Sequence, residues 1–236
     1  GAALIGCRFF ENPVSYFFFH AGVTNAYAQT PILVSTKLGV DITQAAGLLP
    51  FDVHAPEVDF AISTSLKWMC GTPGAGMLYV DKTLALDLQP ESRGWFSQNN
   101  PFSWDLDKFE YAPDIRRFDN GTPGVMAALA SLPALDWHAA QDQAHILAHN
   151  RKLTARLIDA ADDLGLPLLT PRPETKRGGS IMVRLPDALP APQVVATLRA
   201  QGITTDARSQ TLRLSPGILT TDAGTDRLIA ALKALL

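Results

Sequence analysis

The first candidate for chemistry is Lys67, which stands between hydroxyl-bearing and glycine-rich neighbours. Residues 63–65 are Ser-Thr-Ser, whose hydroxyls can bind a phosphate, and Trp68 can shield the amine from water. Glycines at 71, 74 and 76 let the backbone approach a ligand closely. A lysine partly shielded from water has a lowered pKa, so its neutral amine can attack an aldehyde to form a Schiff base. A lone lysine at a strand end is otherwise a solvated surface residue, and these neighbours favour the chemical role.

A carboxylate precedes this lysine at a suggestive place. Asp41 ends an apolar segment 26 positions earlier (67 minus 41), and ligands of open α/β sheets bind at the carboxyl ends of strands. A carboxylate there could keep a pyridinium nitrogen protonated, which makes such a ring an electron sink. Gln44, three residues later, could donate to the phenolic oxygen of the same ring. The alternative is that Asp41 only caps a helix starting near Thr43.

Composition narrows the class of protein. The chain has 236 residues, of which 47% are hydrophobic, enough for one large domain or a large and a small one. A net charge of −3, without a basic run, offers little to nucleic acid or to an anionic membrane, so the expected partner is a small molecule. No apolar run approaches the roughly 20 residues that span a bilayer. Two cysteines without metal-binding spacing indicate no disulfide framework and no metal site, and favour a cytoplasmic location.

The elements that must position these residues alternate between strands and helices. Apolar segments predict strands at 38–41, 58–62 and 76–80, and helical spacing predicts helices at 123–140 and 141–164, the second long enough to bridge domains. The remaining pattern predicts a βαββα unit, with a strand at 180–185, a helix at 191–201, strands at 203–206 and 211–215, and a helix at 221–236. We therefore expect an α/β fold with a mostly parallel sheet in residues 1–140, followed by a small α+β domain in 141–236. Residues 1–37 have no clean period and are atypical.

Five segments resemble, in order, the class V aminotransferase group of fold-type I enzymes, which depend on pyridoxal 5′-phosphate (PLP) and include kynureninases and cysteine desulfurases. The resemblance covers most of the chain from Leu38 onward. The segments are Val40-Asp-Ile-Thr-Gln-Ala-Ala-Gly47, Val58-Asp-Phe-Ala-Ile-Ser-Thr-Ser-Leu-Lys67 with Gly74-Ala-Gly76, Arg93-Gly-Trp-Phe96, Arg116-Arg-Phe-Asp-Asn-Gly-Thr-Pro123 and Thr211-Leu-Arg-Leu-Ser-Pro216.

The resemblance assigns roles at the cofactor. It implies that Lys67 forms the Schiff base with PLP, that Asp41 faces the pyridine nitrogen and that Gln44 faces the ring oxygen. Thr64 or Ser65 would contact the phosphate.

The resemblance also implies roles beyond the cofactor ring. Gly121 and Thr122 would reach the phosphate of a neighbouring subunit, which implies a homodimer with shared active sites. Arg213 would bind the α-carboxylate of an amino-acid substrate, with Arg208 as a weaker candidate. Trp95 would lie near the active site, although a buried core indole is an equal alternative.

The sequence departs from the family at three places. Leu66 stands where the family has a polar residue before the lysine, and no cysteine follows Cys70, so a desulfurase reaction is not expected. The family's phosphate-cradling loop and ring-stacking residue have no counterpart, so we expect a chain that lacks the family's N-terminal part and begins inside a longer one. A shifted reading frame or an unusual insertion would account for residues 1–37.

Three functional hypotheses follow. The first is a PLP-dependent enzyme acting on an amino acid, either aminotransferase-like or kynureninase-like, and Trp95 with Arg93-Gly94 favours the second branch. Another is a catalytically incompetent remnant of that fold that acts as a dimerising protein. A third, nucleotide binding through Gly71 to Gly76, is disfavoured because these glycines match neither GxGxxG nor GxxxxGK[ST].

Overall fold

The computed structural model describes residues 37–55, 57–105 and 107–236, together with the backbone of residues 16–20. The interpretation of residues 1–37 as atypical therefore lies largely outside the described residues. Four strands form the first sheet in the order β1 (Tyr16–His20), β2 (Lys37–Asp41), β3 (Phe60–Thr64) and β4 (Gly76–Val80). The first three strands run parallel, and β4 runs antiparallel to β3.

Strand β3 lies two residues later than the apolar pattern predicted. Its polar end stays in the sheet because Ser63 and Thr64 pair with Met77 and Gly76 of β4. Ser63 is buried even though it is polar. The apolar run alone could not reveal this extension, since the antiparallel partner fixes the end of the strand.

A short helix and two 3₁₀ turns follow the first sheet. Helix α1 (Lys82–Asp87) begins at Asp81, whose carboxylate caps it by accepting from the backbone N–H of Leu84 at 2.9 Å. The 3₁₀ turns span Trp95–Ser97 and Ile115–Phe118. Arg117, in the second turn, is buried and donates to the carbonyls of Ala85 and Leu88, so it closes the C-terminal end of α1.

Two helices occupy the middle of the chain, close to the predicted bounds. Helix α2 spans Val125–Ala140, and α3 spans Gln143–Asp163 with Asp142 as its N-cap. Only Ser131 of α2 is buried, whereas α3 buries seven residues along one face. Helix α3 therefore packs one face against the protein, whereas α2 has no comparable buried face.

The C-terminal part forms a three-stranded antiparallel sheet in the order β5-β7-β6, with two helices. Its elements are β5 (Ile181–Arg184), α4 (Ala191–Ala200), β6 (Asp206–Arg208), β7 (Thr211–Leu214) and α5 (Asp222–Leu235). Strand β6 lies later than the predicted 203–206 because it pairs with β7 through a two-residue loop at 209–210. Ser209 in this loop has a positive φ of 50°, as such tight hairpins require.

The chain divides into two compact units. Among the described residues, the first unit contains β1, residues 37–46 and Phe51–Ala139, and the second contains Gly47–Pro50 and Ala140–Leu236. The second unit has a large apolar core from β5, β7 and helices α3 to α5. The first has a small cluster of Val80, Leu84 and Ala85, and it exposes Met77 and Leu78 of β4. None of the described helices is long and apolar enough to cross a membrane.

Candidate active site

Lys67 and Asp41 follow or end neighbouring parallel strands. Asp41 is the last residue of β2 and pairs in register with Ile62 of β3, and β3 ends at Thr64, three residues before Lys67. Parallel strands present their carboxyl ends at one edge of a sheet, so both residues belong to the same edge. The sequence had suggested that the indole of Trp68 partly shields Lys67 from water. In the structure Lys67 is exposed. Within the described part of the chain its amine has no hydrogen-bond or ion-pair partner.

The loop after β2 is a series of turns, so the alternative in which Asp41 caps a helix starting near Thr43 does not hold. The carboxylate of Asp41 accepts from the backbone N–H of Thr43 at 2.8 Å, which is the capping contact considered from the sequence. Thr43 is buried, and its hydroxyl accepts from the backbone N–H of Thr64 at 3.3 Å. Gln44 is half-buried in the same loop. The side chain of Thr43 thus links the loop after β2 to the end of β3, at the sheet edge that carries Asp41.

Thr64 and Ser65, the two alternatives for a phosphate contact, have different surroundings. Ser65 is 2% exposed, and its hydroxyl lies within 3.0 Å of the Thr72 carbonyl and 3.2 Å of the Ala75 carbonyl. Thr64 is half-buried, and its hydroxyl oxygen accepts from the backbone N–H of Leu66 at 3.2 Å, which leaves the hydroxyl proton to be donated. The geometry favours Thr64 as the residue that could donate to an anion.

The glycines after Lys67 serve the protein's own packing. A Cβ at Gly71 would lie 2.6 Å from the Cβ of Ser65, so no side chain fits there. Gly74 has a φ of +90°, a conformation that L-residues rarely adopt. These positions shape the turn that carries Lys67, whereas the sequence had suggested close approach to a ligand.

Trp95 and the Gly121-Thr122 pair are brought into one local structure. Gly94 packs so tightly on Asn120 that an added Cβ would collide with the Asn120 carbonyl oxygen. The hydroxyl of Ser97 donates to the carbonyl of Asp119 and accepts from the backbone N–H of Gly94 at 3.0 Å. Trp95 is 39% exposed and contacts Phe102 edge to face, so it is not a buried core indole. Gly121 and Thr122 are exposed just before α2.

Arg213 and Arg208 belong to the second unit and share one carboxylate. Arg213 donates to Asp206 at 2.8 Å across the β6–β7 pair, and Arg208 donates to the other oxygen of Asp206 at 3.0 Å. Both ion pairs are partly exposed, so their contribution to stability is small. The two arginines share the single carboxylate of Asp206. The three side chains together keep a net positive charge, which can attract a further carboxylate.

A surface groove of the first unit contains none of the predicted site residues. It has a volume of about 580 Å³ and is lined by residues 87–91, Arg93 and Tyr111. The Arg93 guanidinium lies 4.4 Å from the centroid of the Phe109 ring beside it, a cation–π contact. No group of three or more metal-ligating side chains is found in the described ranges.

Comparison with known proteins decides the family. Residues 32–221 match the family model described as aminotransferase class-V. This chain belongs to the class V aminotransferase family. It is 31% identical over 179 residues to the uncharacterized aminotransferase YcbU of Bacillus subtilis (strain 168), covering 76% of this chain and 46% of that protein. It is 32% identical over 174 residues to a kynureninase of Deinococcus radiodurans, covering 72% of this chain and 42% of that protein.

Solved structures agree on the fold of this class V aminotransferase chain. An apo cysteine desulfurase from Thermococcus onnurineus NA1 superimposes with a TM-score of 0.77 at 21% identity, covering 85% of this chain and 52% of that one. The fold is therefore that of a fold-type I PLP-dependent enzyme in part, as the resemblance implied. The chain spans about half the length of the curated relatives it matches.

Proposed function

We propose that this chain carries the lysine-bearing part of the active site of a PLP-dependent enzyme that acts on an amino acid. The observation that carries the proposal is the shared sheet edge of Asp41 and Lys67 in a chain of the class V aminotransferase family. The available groups suit the cofactor: an exposed amine, a carboxylate, an amide and a hydroxyl proton donor, supplied by Lys67, Asp41, Gln44 and Thr64. When bound, PLP supplies a ring that accepts the electron pair left when a bond at the substrate's Cα breaks.

Each residue has a task that follows from its chemistry. Lys67 would hold the cofactor covalently through Nζ, and the same amine would move a proton to or from the substrate's Cα after release. Asp41 would keep the pyridine nitrogen protonated, because a carboxylate favours a nearby positive charge. Gln44 would orient the ring through its oxygen, and Thr64 would donate to the phosphate. Ser65 is the weaker phosphate candidate, because its hydroxyl is buried against backbone carbonyls.

The substrate would be an amino acid held through its α-carboxylate by Arg213, whose planar guanidinium can bind both oxygens. Arg208 is the second candidate, and Asp206 already holds both arginines side by side. The kynureninase-like branch is supported by the Arg93-Gly94-Trp95 segment and by the kynureninases among the relatives. The aminotransferase-like branch stays the alternative, supported by the similarity to YcbU.

The proposal includes a homodimer in which Gly121 and Thr122 reach the partner's cofactor phosphate. It is supported by the exposure of both residues and by the way Gly94 and Ser97 fix the preceding segment. A reducing, cytoplasmic location is proposed as well, supported by the exposed free thiol of Cys70.

A second candidate function is a non-enzymatic, dimerising remnant of the same fold. It is favoured by the exposed apolar residues Met126 and Leu129 on α2. This reading predicts self-association without any cofactor chemistry at Lys67.

Titration with PLP separates the two. The enzyme proposal predicts a visible absorbance band that disappears in Lys67→Ala but persists in Lys82→Ala, a matched change at another exposed lysine. Adding amino acids one at a time should shift the band only for substrates, and Arg213→Ala should weaken that response. Equal bands in the two lysine variants, or none in the parent chain, would exclude Lys67 as the cofactor lysine and leave the dimerising remnant.

A further inference from the structure

Helix α2 holds the turn that carries Lys67 through several polar contacts. We call residues 65–72 the lysine turn. The Ala127 carbonyl accepts from the hydroxyl of Thr72 at 2.9 Å, and the hydroxyl of Ser131 accepts from the backbone N–H of Thr72 at 3.0 Å. Seven residues after Ser131, Nε2 of His138 lies 3.1 Å from the Trp68 carbonyl, to which it donates. The Ser131 hydroxyl also lies 3.3 Å from the hydroxyl of Ser65, so the lysine turn is held on both sides of Lys67.

These contacts come from one face of the helix. Residues 127, 131 and 138 are spaced by four and seven, which places them on the same side over about 16 Å of helix. Ser131 is the only buried residue of α2, and large apolar side chains of the helix, including Met126 and Leu129, are exposed. The helix is thus attached to the lysine turn by directed hydrogen bonds and not by a hydrophobic face.

The lysine turn is itself tightly built. The backbone N–H of Gly71 donates to the Ser65 carbonyl at 2.7 Å, and that of Cys70 donates to the Lys67 carbonyl at 2.9 Å. A side chain at Gly71 would collide with Ser65 and approach the Ser131 hydroxyl to 3.0 Å. The turn therefore has little freedom of its own, and its orientation depends on what holds Trp68 and Thr72.

We propose that Ser131 and His138 are positioning residues that fix the direction in which Lys67 presents its amine. This inference rests on the proposed function, because the direction of the Lys67 amine matters for its reaction with the aldehyde of PLP. Neither residue contacts the cofactor in this proposal. They act through Ser65, Trp68 and Thr72, which lie on both sides of Lys67 in the turn.

Two pairs of variants test the contacts themselves. Ser131→Ala removes the hydroxyl that accepts from the backbone N–H of Thr72, whereas Ser131→Thr keeps a hydroxyl at this position. His138→Leu removes the donor to Trp68, whereas His138→Gln keeps an N–H group at similar reach. Leu132→Ala, at an exposed position next to Ser131, is the control for the helix.

Hydrogen exchange of the peptide that contains residues 65–72 tests these contacts in the absence of any cofactor. Losing one net hydrogen bond should speed its exchange about fivefold in Ser131→Ala and His138→Leu. Ser131→Thr, His138→Gln and Leu132→Ala should stay close to the parent chain. Unchanged exchange in both deletion variants would overturn the proposed contacts.

A second readout tests positioning rather than folding. The chain is incubated with PLP and borohydride, and the fixed cofactor at Lys67 is divided by that at Lys82, measured by peptide mass spectrometry. The ratio should fall about fivefold in the two deletion variants and recover in the conservative ones. Faster exchange with an unchanged ratio would overturn the positioning role and leave a structural one. If the parent chain shows no preference for Lys67, the proposed function fails and the positioning role with it, whereas hydrogen exchange still decides whether α2 holds the turn.

Discussion

Replacing Arg117 with methionine should strongly destabilise the first unit. The Arg117 guanidinium donates to the carbonyls of Ala85 and Ala112 at 2.7 and 3.1 Å, and both of these residues are buried. A buried acceptor that loses its donor costs about 1–3 kcal/mol, so two such acceptors give about 2–6 kcal/mol. Methionine keeps most of the apolar stem, so little of this loss comes from packing.

The adjacent arginine supplies a matched control. Arg116 is 42% exposed and pairs with exposed Asp114, so Arg116→Met should cost less than about 1 kcal/mol. All four tryptophans lie between residues 68 and 137, within the first unit, so their fluorescence during a urea titration reports that unit alone. Equal losses of unfolding free energy in the two variants would refute the role of Arg117 at the end of α1.

Three further results are expected. Gly94→Ala should lower the fluorescence midpoint sharply, because its Cβ would meet the Asn120 carbonyl oxygen, whereas Gly124→Ala has open space and should leave the midpoint unchanged; equal midpoints would contradict the close approach. Leu198→Ala, at a fully buried position of the second unit, should cost about 2–5 kcal/mol in far-UV circular dichroism unfolding, and a loss below about 1 kcal/mol would contradict its place in the core. Hydrogen bonds and charges from a lysine and an arginine of α3 hold the pKa of Asp222 below its usual range. Because that pKa is depressed on folding, the stabilisation is complete above the unfolded value of about 3.9 and is lost as the pH falls through the folded pKa. A carboxyl titration by NMR that places Asp222 at its ordinary pKa would contradict this.

The order of elements could be predicted from local patterns, but the ends of strands could not. The apolar run at 58–62 located β3 approximately, whereas its pairing with β4 moved the strand to Phe60–Thr64. Likewise, β6 lies later than predicted because the hairpin with β7 sets its register. The partner strand sets where each strand ends, and the apolar period within a single strand does not encode that partner.

The candidate site divides in the same way. Residue type and strand ends were enough to single out Asp41 and Lys67, because the chemistry and the sheet edge are both local properties. Ser131 and His138 carried no such signal, since a serine and a histidine on a helix are common and only the fold brings them to the lysine turn. The adjacent arginines 116 and 117 show the same limit, because their identical side chains differ only in burial.

The most direct test of the central claim is the distribution of covalently fixed cofactor among the seven lysines of the chain. The chain is incubated with PLP at a concentration below that of the protein, reduced with borohydride, digested and analysed by peptide mass spectrometry. If Lys67 is the cofactor lysine, its peptide should carry most of the label, and Asp41→Asn should lower that share. A label spread over the exposed lysines in proportion to their accessibility, and unchanged by Asp41→Asn, would contradict the account.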